Sequence, residues 1–371
     1  MKLYFISGEA SGDLHGSNLI KELYKKQAGL EIRAWGGNLM KEQGAYLVKH
    51  YKDLAFMGFI EVVSNLKTIL SNIDFCKRDI IAFNPDIIVL IDYPGFNLRI
   101  AEFAKKKGYK VVYYISPQVW AWKQNRVYKI KKVVDKMLCI LPFEKEFYGK
   151  FNYSATYVGH PLLDAIYNFK EQNAISKEDF TKKYNLNDKP IIALLPGSRY
   201  QEINVKLNYM CSVVKHFNNY QFVIAGAPSI NEKVYEKYLN NNVKIVYNDT
   251  YNLLNNSKVA LVTSGTATLE TALFRVPEVV CYKGSEISYQ IAKRLIKVKY
   301  ISLVNLIMNK EVVKELIQND LTEKKLVQEL SRIIDDSKER QDILSDYNKL
   351  EKVLGGVGAS ERAAHEILLL K

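Results

Sequence analysis

Two segments in the first half of the chain place acidic side chains where an apolar run passes into a helical pattern. The run "FISGEASGDLHG", residues 5–16, carries Glu9 and Asp13, and "LIDYPGFN", residues 90–97, carries Asp92 directly after an apolar stretch. A carboxylate at the C-terminal end of a strand is well placed to act as a general base. Carboxylates also repel a diphosphate, so the first loop favours a hydroxyl-bearing substrate. Capping of a helix or a turn is the alternative role for each acid.

A segment in the second half has the composition of a phosphate-binding loop. In "LLPGSR", Gly197, Ser198 and Arg199 follow an apolar run and precede a helical pattern. Free backbone N–H groups, the helix dipole and a guanidinium all favour an anion at such a position. A plain strand-to-helix turn with a surface arginine is the alternative.

The segment "TSGTATLE", residues 263–270, repeats this arrangement with Gly265 and Thr266 at the start of a helix. Glu270 falls one turn into that helix, where a carboxylate can accept hydrogen bonds from a ribose diol. Small residues at this place also suit the packing of a helix on a sheet. The two loops together favour a nucleotide as the ligand of the second half.

The stretch of residues 56–70 is apolar over more than one helical face. Most apolar stripes of helices pack into a core, but one this wide can also rest in a membrane interface. The residues that we expect to contact a membrane are Met57, Phe59, Val63, Leu66 and Leu70.

A second segment, residues 120–136, interleaves lysine and arginine with Trp120, Trp122 and Tyr128. Anionic lipid headgroups or the phosphate of a substrate could lie against it. RNA is the other candidate, although no RNP-type signature accompanies the basic residues.

The elements that must position these loops are short apolar strands that alternate with amphipathic helices. Such runs start at residues 2, 32, 87, 110, 136 and 155, and the same rhythm restarts at residue 191 after a polar interval. Continuous apolar strands separated by helices predict parallel sheets covered on both faces. The pattern predicts an α/β protein with two Rossmann-like, doubly wound domains that face a ligand cleft. The predicted parts are domains at 1–168 and 185–335 and a helical C-terminal segment at 336–371.

Composition sets the broad class of the protein. Hydrophobic residues make up 48% and charged residues 25% of the 371 residues, and the formal net charge is +13. That charge favours anionic partners without choosing among nucleic acid, membrane and phosphorylated molecules. The N-terminal apolar stretch is too short for a signal peptide, and no segment reaches the roughly 18 apolar residues of a spanning helix. We therefore expect a cytoplasmic protein, whose four widely spaced cysteines form neither disulfides nor a zinc site.

Several of these motifs, taken in order, resemble those of the bacterial lipid-A-disaccharide synthase family. The similarity extends over about residues 3–330, and its most specific runs are "SGEASGD" and "SPQVWAW". Other matching runs are "MGFIEV", "IDYPGFN", "LPFEKEFY", "VGHPLLD", "LLPGSR", "SGTATLE" and "SLVNLI". The resemblance implies the two-Rossmann-domain architecture called GT-B.

The resemblance also implies a function. An inverting glycosyltransferase would join UDP-2,3-diacylglucosamine to lipid X, the matching diacylglucosamine 1-phosphate, and release UDP. Such an enzyme would work as a peripheral protein at the inner membrane, and it can form a homodimer that exchanges C-terminal segments. No cofactor is implied, and no DxD-type pair is present to hold a metal. We expect no nucleic-acid partner.

Residue roles follow from the motif matches. Ser198 and Arg199 would contact the diphosphate with Glu202 as a supporting residue, while Gly265, Thr266 and Glu270 belong to the second nucleotide loop. Asp92 and Glu9 lie on the acceptor side, where Asp92 is the expected base and Glu9 its rival. Asn305 matches an asparagine implicated in activity. The chain departs from the family pattern at Val304 and at Glu278.

Two alternatives stay open from the sequence. One is another enzyme of the same architecture that uses UDP-N-acetylglucosamine, either a transferase or an epimerase. The other is a non-catalytic basic protein that binds RNA or membrane and uses the α/β halves only as a scaffold.

Overall fold

The computed structural model describes residues 1–54, 66–228, 230–285, 289–290 and 298–370. The chain divides into two compact units. The first contains Met1–Asp164 together with the C-terminal segment that starts at Leu354, and the second contains Ala165–Val353. Each unit is built around one parallel sheet, as the alternation of apolar runs and helices predicts.

The first unit contains a seven-stranded sheet in which the strand order is β3-β2-β1-β4-β5-β6-β7. All neighbouring strands in this sheet run parallel. The strands are β1 Lys2–Ser7, β2 Glu31–Gly36, β3 Tyr46–His50, β4 Ile87–Ile91, β5 Lys110–Tyr114, β6 Lys136–Cys139 and β7 Ala155–Tyr157. The central strands are buried on both faces because helices cover both sides of the sheet.

Helices connect these strands. They are α1 Ala10–Lys26, α2 Asn38–Glu42, α3 Leu66–Phe83, α4 Pro94–Lys106, α5 Arg126–Val133 and α6 Glu144–Gly149, followed by α7 Pro161–Gln172 at the boundary between the units. Side chains of β1 alternate between the two cores of the unit. Leu3 and Phe5 join the core on one face of the sheet, whereas Tyr4 and Ile6 join the core on the other. This period of two is the geometry of a strand covered on both faces.

The second unit repeats the design with a six-stranded parallel sheet, ordered β10-β9-β8-β11-β12-β13. Its strands are β8 Ile191–Leu195, β9 Gln221–Gly226, β10 Val243–Tyr247, β11 Ser257–Thr263, β12 Glu278–Tyr282 and β13 Lys314–Ile317. Its helices are α8 Lys177–Lys183, α9 Tyr200–Ser212, α10 Lys233–Glu236, α11 Thr250–Asn255, α12 Thr266–Leu273, α13 Leu303–Met308, α14 Glu323–Ile334 and α15 Lys338–Val353. The final helix of the chain, α16 Ala359–Leu368, belongs to the first unit.

The C-terminal region differs from the boundaries drawn on the sequence, which separate a helical segment at 336–371 from the domain before it. Helix α15 packs with the second unit, since Tyr347 is buried there and its Oη donates a 3.3 Å hydrogen bond to the carbonyl oxygen of Val276. An ion pair between Arg275 and Glu351 holds the same helix.

Helix α16 is fixed to the first unit by apolar packing and by one carboxylate. Ala363 and Ile367 share a core with the α1 residues Leu19 and Leu23. The buried carboxylate of Asp164 accepts hydrogen bonds from the backbone N–H groups of Gly358, Ala359 and Ser360 at 2.6, 3.3 and 2.8 Å. These are N–H groups that a helix start leaves without an intrahelical partner, so Asp164 acts as a cap supplied by another element.

Replacing this cap should loosen α16 alone. We expect Asp164→Ala to raise the hydrogen-exchange rate of α16 amides by about tenfold or more, since buried N–H groups lose their acceptor at a cost of about 1–3 kcal/mol. Hydrogen exchange followed by mass spectrometry measures this locally. The control is Glu361→Ala, which removes only an exposed ion pair between α16 and Lys26 and should change little. Equal protection of α16 in wild type and Asp164→Ala would contradict the capping role.

Candidate active site

The acidic loops of the first unit leave the same edge of its sheet. Strands β1 and β4 are parallel neighbours, and their last residues, Ser7 and Ile91, are partners in the ladder. Glu9 therefore follows one strand and Asp92 follows the next at the carboxyl edge, where ligands of open α/β sheets bind. The two carboxylates interact through space, because the charge of Glu9 contributes to the pKa of Asp92.

The turn that carries Asp92 has a strained backbone. Asp92 and Tyr93 adopt φ values of 43° and 48°, a left-handed conformation that is uncommon outside glycine. Hydrogen bonds to the Asp92 backbone hold this turn. The carbonyl oxygen of Asp92 accepts hydrogen bonds from Tyr113 Oη at 2.5 Å and from Asn97 Nδ2 at 2.7 Å. Its N–H donates to the carbonyl oxygen of Tyr114 at 3.2 Å. Strain held in this way is typical of functional turns.

Gly8 explains why the two loops can approach so closely. A Cβ atom at this position would lie 2.5–2.7 Å from ring atoms of Tyr93, a distance that real contacts do not reach. The backbone at Gly8 therefore packs directly on the ring beside Asp92. This close approach places Glu9, the next residue, beside the Asp92 turn.

The environment of Asp92 changes its acidity. Desolvation in the loop and then repulsion from Glu9 raise the pKa of Asp92 to about 6, and a hydrogen bond with the Tyr93 backbone opposes the rise. The residue remains accessible at the surface. A carboxylate with a pKa near 6 is ionised at neutral pH and is a stronger proton acceptor than an ordinary aspartate.

The other acid of the first loop has a different task. Asp13 is buried, and its carboxylate accepts hydrogen bonds from the backbone N–H groups of Gly37, Leu39 and Met40 at 2.7, 3.2 and 3.1 Å. Asp13 therefore caps the start of α2 from the neighbouring helix. Helix capping, the alternative weighed for the acids of these loops, applies to Asp13.

The first nucleotide loop of the second unit lies at the end of β8. Gly197 has φ 110°, and Ser198 and Arg199 are exposed just before α9 begins at Tyr200. The guanidinium of Arg199 pairs with Glu202 at 3.2 Å, one turn along the helix. This contact holds a cation beside the N–H groups that begin the helix, an arrangement that favours an anion.

Lys206 is a residue of this site that the sequence analysis missed. It is only 3% exposed, and its ammonium donates a hydrogen bond to Thr263 Oγ1 at the end of β11. Burial lowers the pKa of Lys206, while the charge of Glu202 opposes that shift. In a sequence, a lysine in an amphipathic helix is indistinguishable from a surface residue. The one available signal is that Lys206 follows Arg199 by seven residues, about two helical turns, which places both on the same side of the helix.

The second nucleotide loop follows β11. Gly265 has φ 128°, a backbone conformation that favours glycine. The surrounding space would accept a larger residue, because a Cβ atom there would meet no atom within 4 Å. Thr266 begins α12 and is exposed. One turn later, Tyr251 Oη donates to Glu270 Oε1 at 3.2 Å, and burial raises the pKa of Glu270. Tyr251 thus fixes one oxygen of the Glu270 carboxylate.

Both polar atoms of the Asn305 side chain form hydrogen bonds within the protein. Its Nδ2 donates to Val313 O at 2.8 Å and to Glu315 Oε1 at 2.9 Å. Its Oδ1 accepts from the N–H groups of Val312 and Val313 at 2.7 and 3.0 Å. The catalytic role that the resemblance implies for Asn305 stays a prediction, and these contacts show in addition that its amide is fully hydrogen-bonded within the protein. They favour a role in fixing the segment that leads into β13.

The expected membrane contacts are only partly covered by the structure. Met57, Phe59 and Val63 lie outside the described residues, as does the side chain of Leu66, the first residue of α3. Leu70 is 49% exposed, whereas Ile73 of the same helix is in the core. Leu70 therefore lies on the solvent side of α3.

The basic and aromatic segment presents part of its surface to solvent. Trp122 is 42% exposed, and its ring is contacted by Lys123 and Arg126 at 4.3 and 5.7 Å from the centroid. Trp120 is buried and donates from its indole N–H to Glu144 at 3.2 Å. The segment thus contributes one aromatic residue to the core and one to a positively charged surface.

Within the described part of the chain, no helix is long and apolar enough to cross a membrane. The same residues contain no cluster of three or more histidine, cysteine or acidic side chains that could hold a metal ion. The four cysteines are free thiols.

Comparisons with known proteins agree on a family. A family model described as lipid-A-disaccharide synthetase matches residues 3–369. Lipid-A-disaccharide synthase from Coxiella burnetii (strain CbuG_Q212) is 36% identical over 367 residues, which is 98% of this chain and 96% of that protein. The enzyme of the same name from Syntrophus aciditrophicus (strain SB) is 37% identical over 374 residues, again 98% and 96% of the two chains.

Among solved structures, UDP-GlcNAc 2-epimerase from Neisseria meningitidis bound to UDP-GlcNAc is similar over all of both chains, with a TM-score of 0.71. Its sequence identity is 14%, so the likeness concerns the fold alone. The two-sheet architecture expected from the sequence is confirmed, and the epimerase alternative gains no support from this likeness.

The coupling of Glu9 to Asp92 can be measured directly in the free protein. We expect the carboxyl ¹³C resonance of Asp92 to titrate with a midpoint near 6. In Glu9→Gln the midpoint should move to lower pH, because one of the two causes of the raised pKa is removed. A wild-type midpoint near 4, the ordinary value for aspartate, would contradict the described environment.

Proposed function

Because this chain belongs to the lipid-A-disaccharide synthetase family, we propose that Asp92 is the general base of its glycosyl transfer. The chain is a hexosyltransferase of lipid A biosynthesis that joins UDP-2,3-diacylglucosamine to lipid X and releases UDP. The resemblance seen in the sequence is confirmed, as is the expectation of an enzyme. The residues that perform each step are our proposal.

The observation that carries the proposal is the placement of Asp92 on a strained turn at the same sheet edge as Glu9. There, desolvation and then the charge of Glu9 raise the pKa of Asp92 to about 6. The hydroxyl of lipid X at C6 attacks the anomeric carbon of the donor, and its proton has to leave as the new bond forms. Asp92 takes this proton because its carboxylate is ionised at pH 7 yet basic enough to share a proton. Glu9 is exposed and has the supporting task of keeping that pKa high.

The second unit stabilises the departing UDP. Negative charge grows on the diphosphate as the glycosidic bond to it breaks, and preorganised cations and N–H groups lower the energy of that state. Ser198, Arg199 and the N–H groups at the start of α9 supply these contacts, and Glu202 orients the guanidinium. Lys206 adds a second positive charge behind the loop.

The uridine ribose belongs at the second nucleotide loop in this proposal. Gly265 and Thr266 bring the start of α12 to the ligand, and the free oxygen of Glu270 accepts a hydrogen bond from a ribose hydroxyl. The bond from Tyr251 supports this assignment because it fixes the orientation of the carboxylate.

We further propose that the enzyme works as a peripheral protein on the inner membrane. Both substrates are acylated, so the protein has to reach them at a bilayer surface. Exposed Leu70 on α3 and the exposed Trp122 with its flanking cations support this location.

A homodimer that exchanges C-terminal segments is also part of the proposal. Helix α16 follows a glycine-rich connection in which Gly355, Gly356 and Gly358 all have positive φ. Such a connection can change direction at little steric cost. An exchange would place α16 of one copy on α1 of the other, with the same cap from Asp164.

The role of Asp92 predicts a separation of turnover from nucleotide binding. Asp92→Asn keeps the size of the side chain and removes the base, so we expect kcat to fall by about 10²–10⁴-fold. The dissociation constant for UDP, measured by isothermal titration calorimetry, should change less than about twofold. Asp336→Asn, an exposed carboxylate of the second unit, is the matched control. Full turnover in Asp92→Asn would show that another group is the base.

The role of Arg199 predicts the opposite pattern. In Arg199→Ala both UDP affinity and kcat should fall, with kcat reduced by about a hundredfold or more, because charge stabilisation at the leaving group is lost. Lys215→Ala removes an exposed cation of the same unit and serves as the control. If Arg199→Ala binds UDP as tightly as wild type, Arg199 does not contact the diphosphate.

A further inference from the structure

A carboxyl group lies buried at the opposite end of the second sheet from the nucleotide loops. Glu278 is the first residue of β12, whereas the nucleotide loops follow the last residues of β8 and β11. Glu278 is 1% exposed, and neither of its carboxylate oxygens has a hydrogen-bond partner among the described residues. A buried carboxylate without a partner is costly, so this group calls for a physical explanation.

Glu278 lines a cavity of about 460 Å³ that no part of the proposed transfer uses. The cavity has an apolar wall, which contains Val279, Val312, Ile333 and Ile343. The charged residues around it come from the loop before β13 and from helices α14 and α15. An apolar wall with a few convergent polar groups is the usual composition of a small-molecule site.

The charge of this cavity is opposite to that of the protein. Six acidic side chains and four basic ones line it, although the whole chain carries a formal charge of +13. The basic side chains are already paired within the lining. Lys310 and Lys349 both bind Asp346, at 2.5 and 3.1 Å. Arg332 binds Glu329 at 3.1 Å, and Lys314 binds Glu311 at 2.9 Å. Arg332 also contacts Glu339 at 3.6 Å.

These pairs leave Glu278 and Asp342 as the carboxylates of the lining for which the described residues provide no ion-pair partner. Burial, and then the charge of Glu315, raises the pKa of Glu278 well above its usual range. The neutral acid is therefore favoured without a ligand, and a nearby cation would favour the carboxylate. Because acidic side chains outnumber the basic ones in the lining, and the basic ones are already paired, the cavity favours a positively charged occupant.

We propose that this cavity is a binding site for a small organic amine, whose protonated amino group pairs with Glu278. Its alkyl part lies along the apolar wall formed by Val279, Ile333 and Ile343. The apolar lining favours an organic amine over a hydrated metal ion, because only the amine has an alkyl chain that can pack against it.

Binding of such a cation should release a proton from Glu278. The charged or titratable groups near Glu278 are Glu315, Tyr347 and the lining residues Lys310, Lys314 and Asp346. The lysines are held by carboxylate partners, so Glu278 is the group whose protonation changes when an ammonium ion arrives. Up to one proton per bound amine is expected near pH 7.

The test uses the full-length protein and putrescine as the probe in isothermal titration calorimetry at pH 7. We expect saturable binding to wild type and an affinity at least about tenfold lower for Glu278→Gln, which keeps the shape of the side chain without its charge. Titrations in two buffers of different ionisation enthalpy should report proton release in wild type only. Asp342→Asn removes an exposed carboxylate of the rim and should weaken binding less than about threefold.

Neutral 1,4-butanediol separates an ammonium site from a general apolar cavity. It should not bind measurably to wild type at concentrations that saturate with putrescine. Glu278→Leu provides a second variant of similar size, and its melting temperature should not respond to putrescine, whereas that of wild type should rise. The proposal is overturned if wild type does not bind putrescine, if Glu278→Gln binds it equally well, or if butanediol binds as tightly.

Discussion

The parallel pairing of β1 with β4 is the constraint on which the chemistry of the first unit depends. The ladder that ends at Ser7 and Ile91 places the residues after both strands at one edge of the sheet. Gly8 lets the first loop pack on the Tyr93 ring, and Asn97 and Tyr113 hold the strained Asp92 turn. The carboxyl group of Asp92 is thereby desolvated and kept near the charge of Glu9, and these two causes, in that order, raise its pKa. In the proposed mechanism, this backbone geometry is what makes an ordinary aspartate basic enough to act as the base.

The second unit uses the same sheet edge for the opposite charge. Its loops after β8 and β11 carry glycines with positive φ, exposed N–H groups and Arg199, with buried Lys206 behind them. In the proposed function, parallel sheets of the same kind thus support a proton-accepting loop in one unit and anion-binding loops in the other. The difference comes from a few side chains that follow the strands, since the strands themselves are apolar in both units.

The sequence predicts the strands and the turns that join them to helices well, because continuous apolar runs and glycine-containing turns are local signals. It does not reveal contacts between distant elements. Asp13 and Glu9 lie in one motif, yet only the structure shows that Asp13 caps α2. The same holds for Lys206, whose partner Thr263 is on another strand, and for Asn305, whose bonds with the β13 region are all internal. Glu278 stands out in the sequence as an acid after Pro277, but its burial beside a cavity depends on α14 and α15.

The pH dependence of the transfer reaction tests most directly whether Asp92, with Glu9 beside it, is the base. The measurement is kcat/KM for disaccharide formation from UDP-2,3-diacylglucosamine and lipid X between pH 4.5 and 8, followed by mass spectrometry. In wild type the rate should fall as the pH drops through about 6, because protonation of Asp92 removes the base. In Glu9→Gln the same fall should occur at lower pH. An acidic limb with the same midpoint in both proteins would contradict the account.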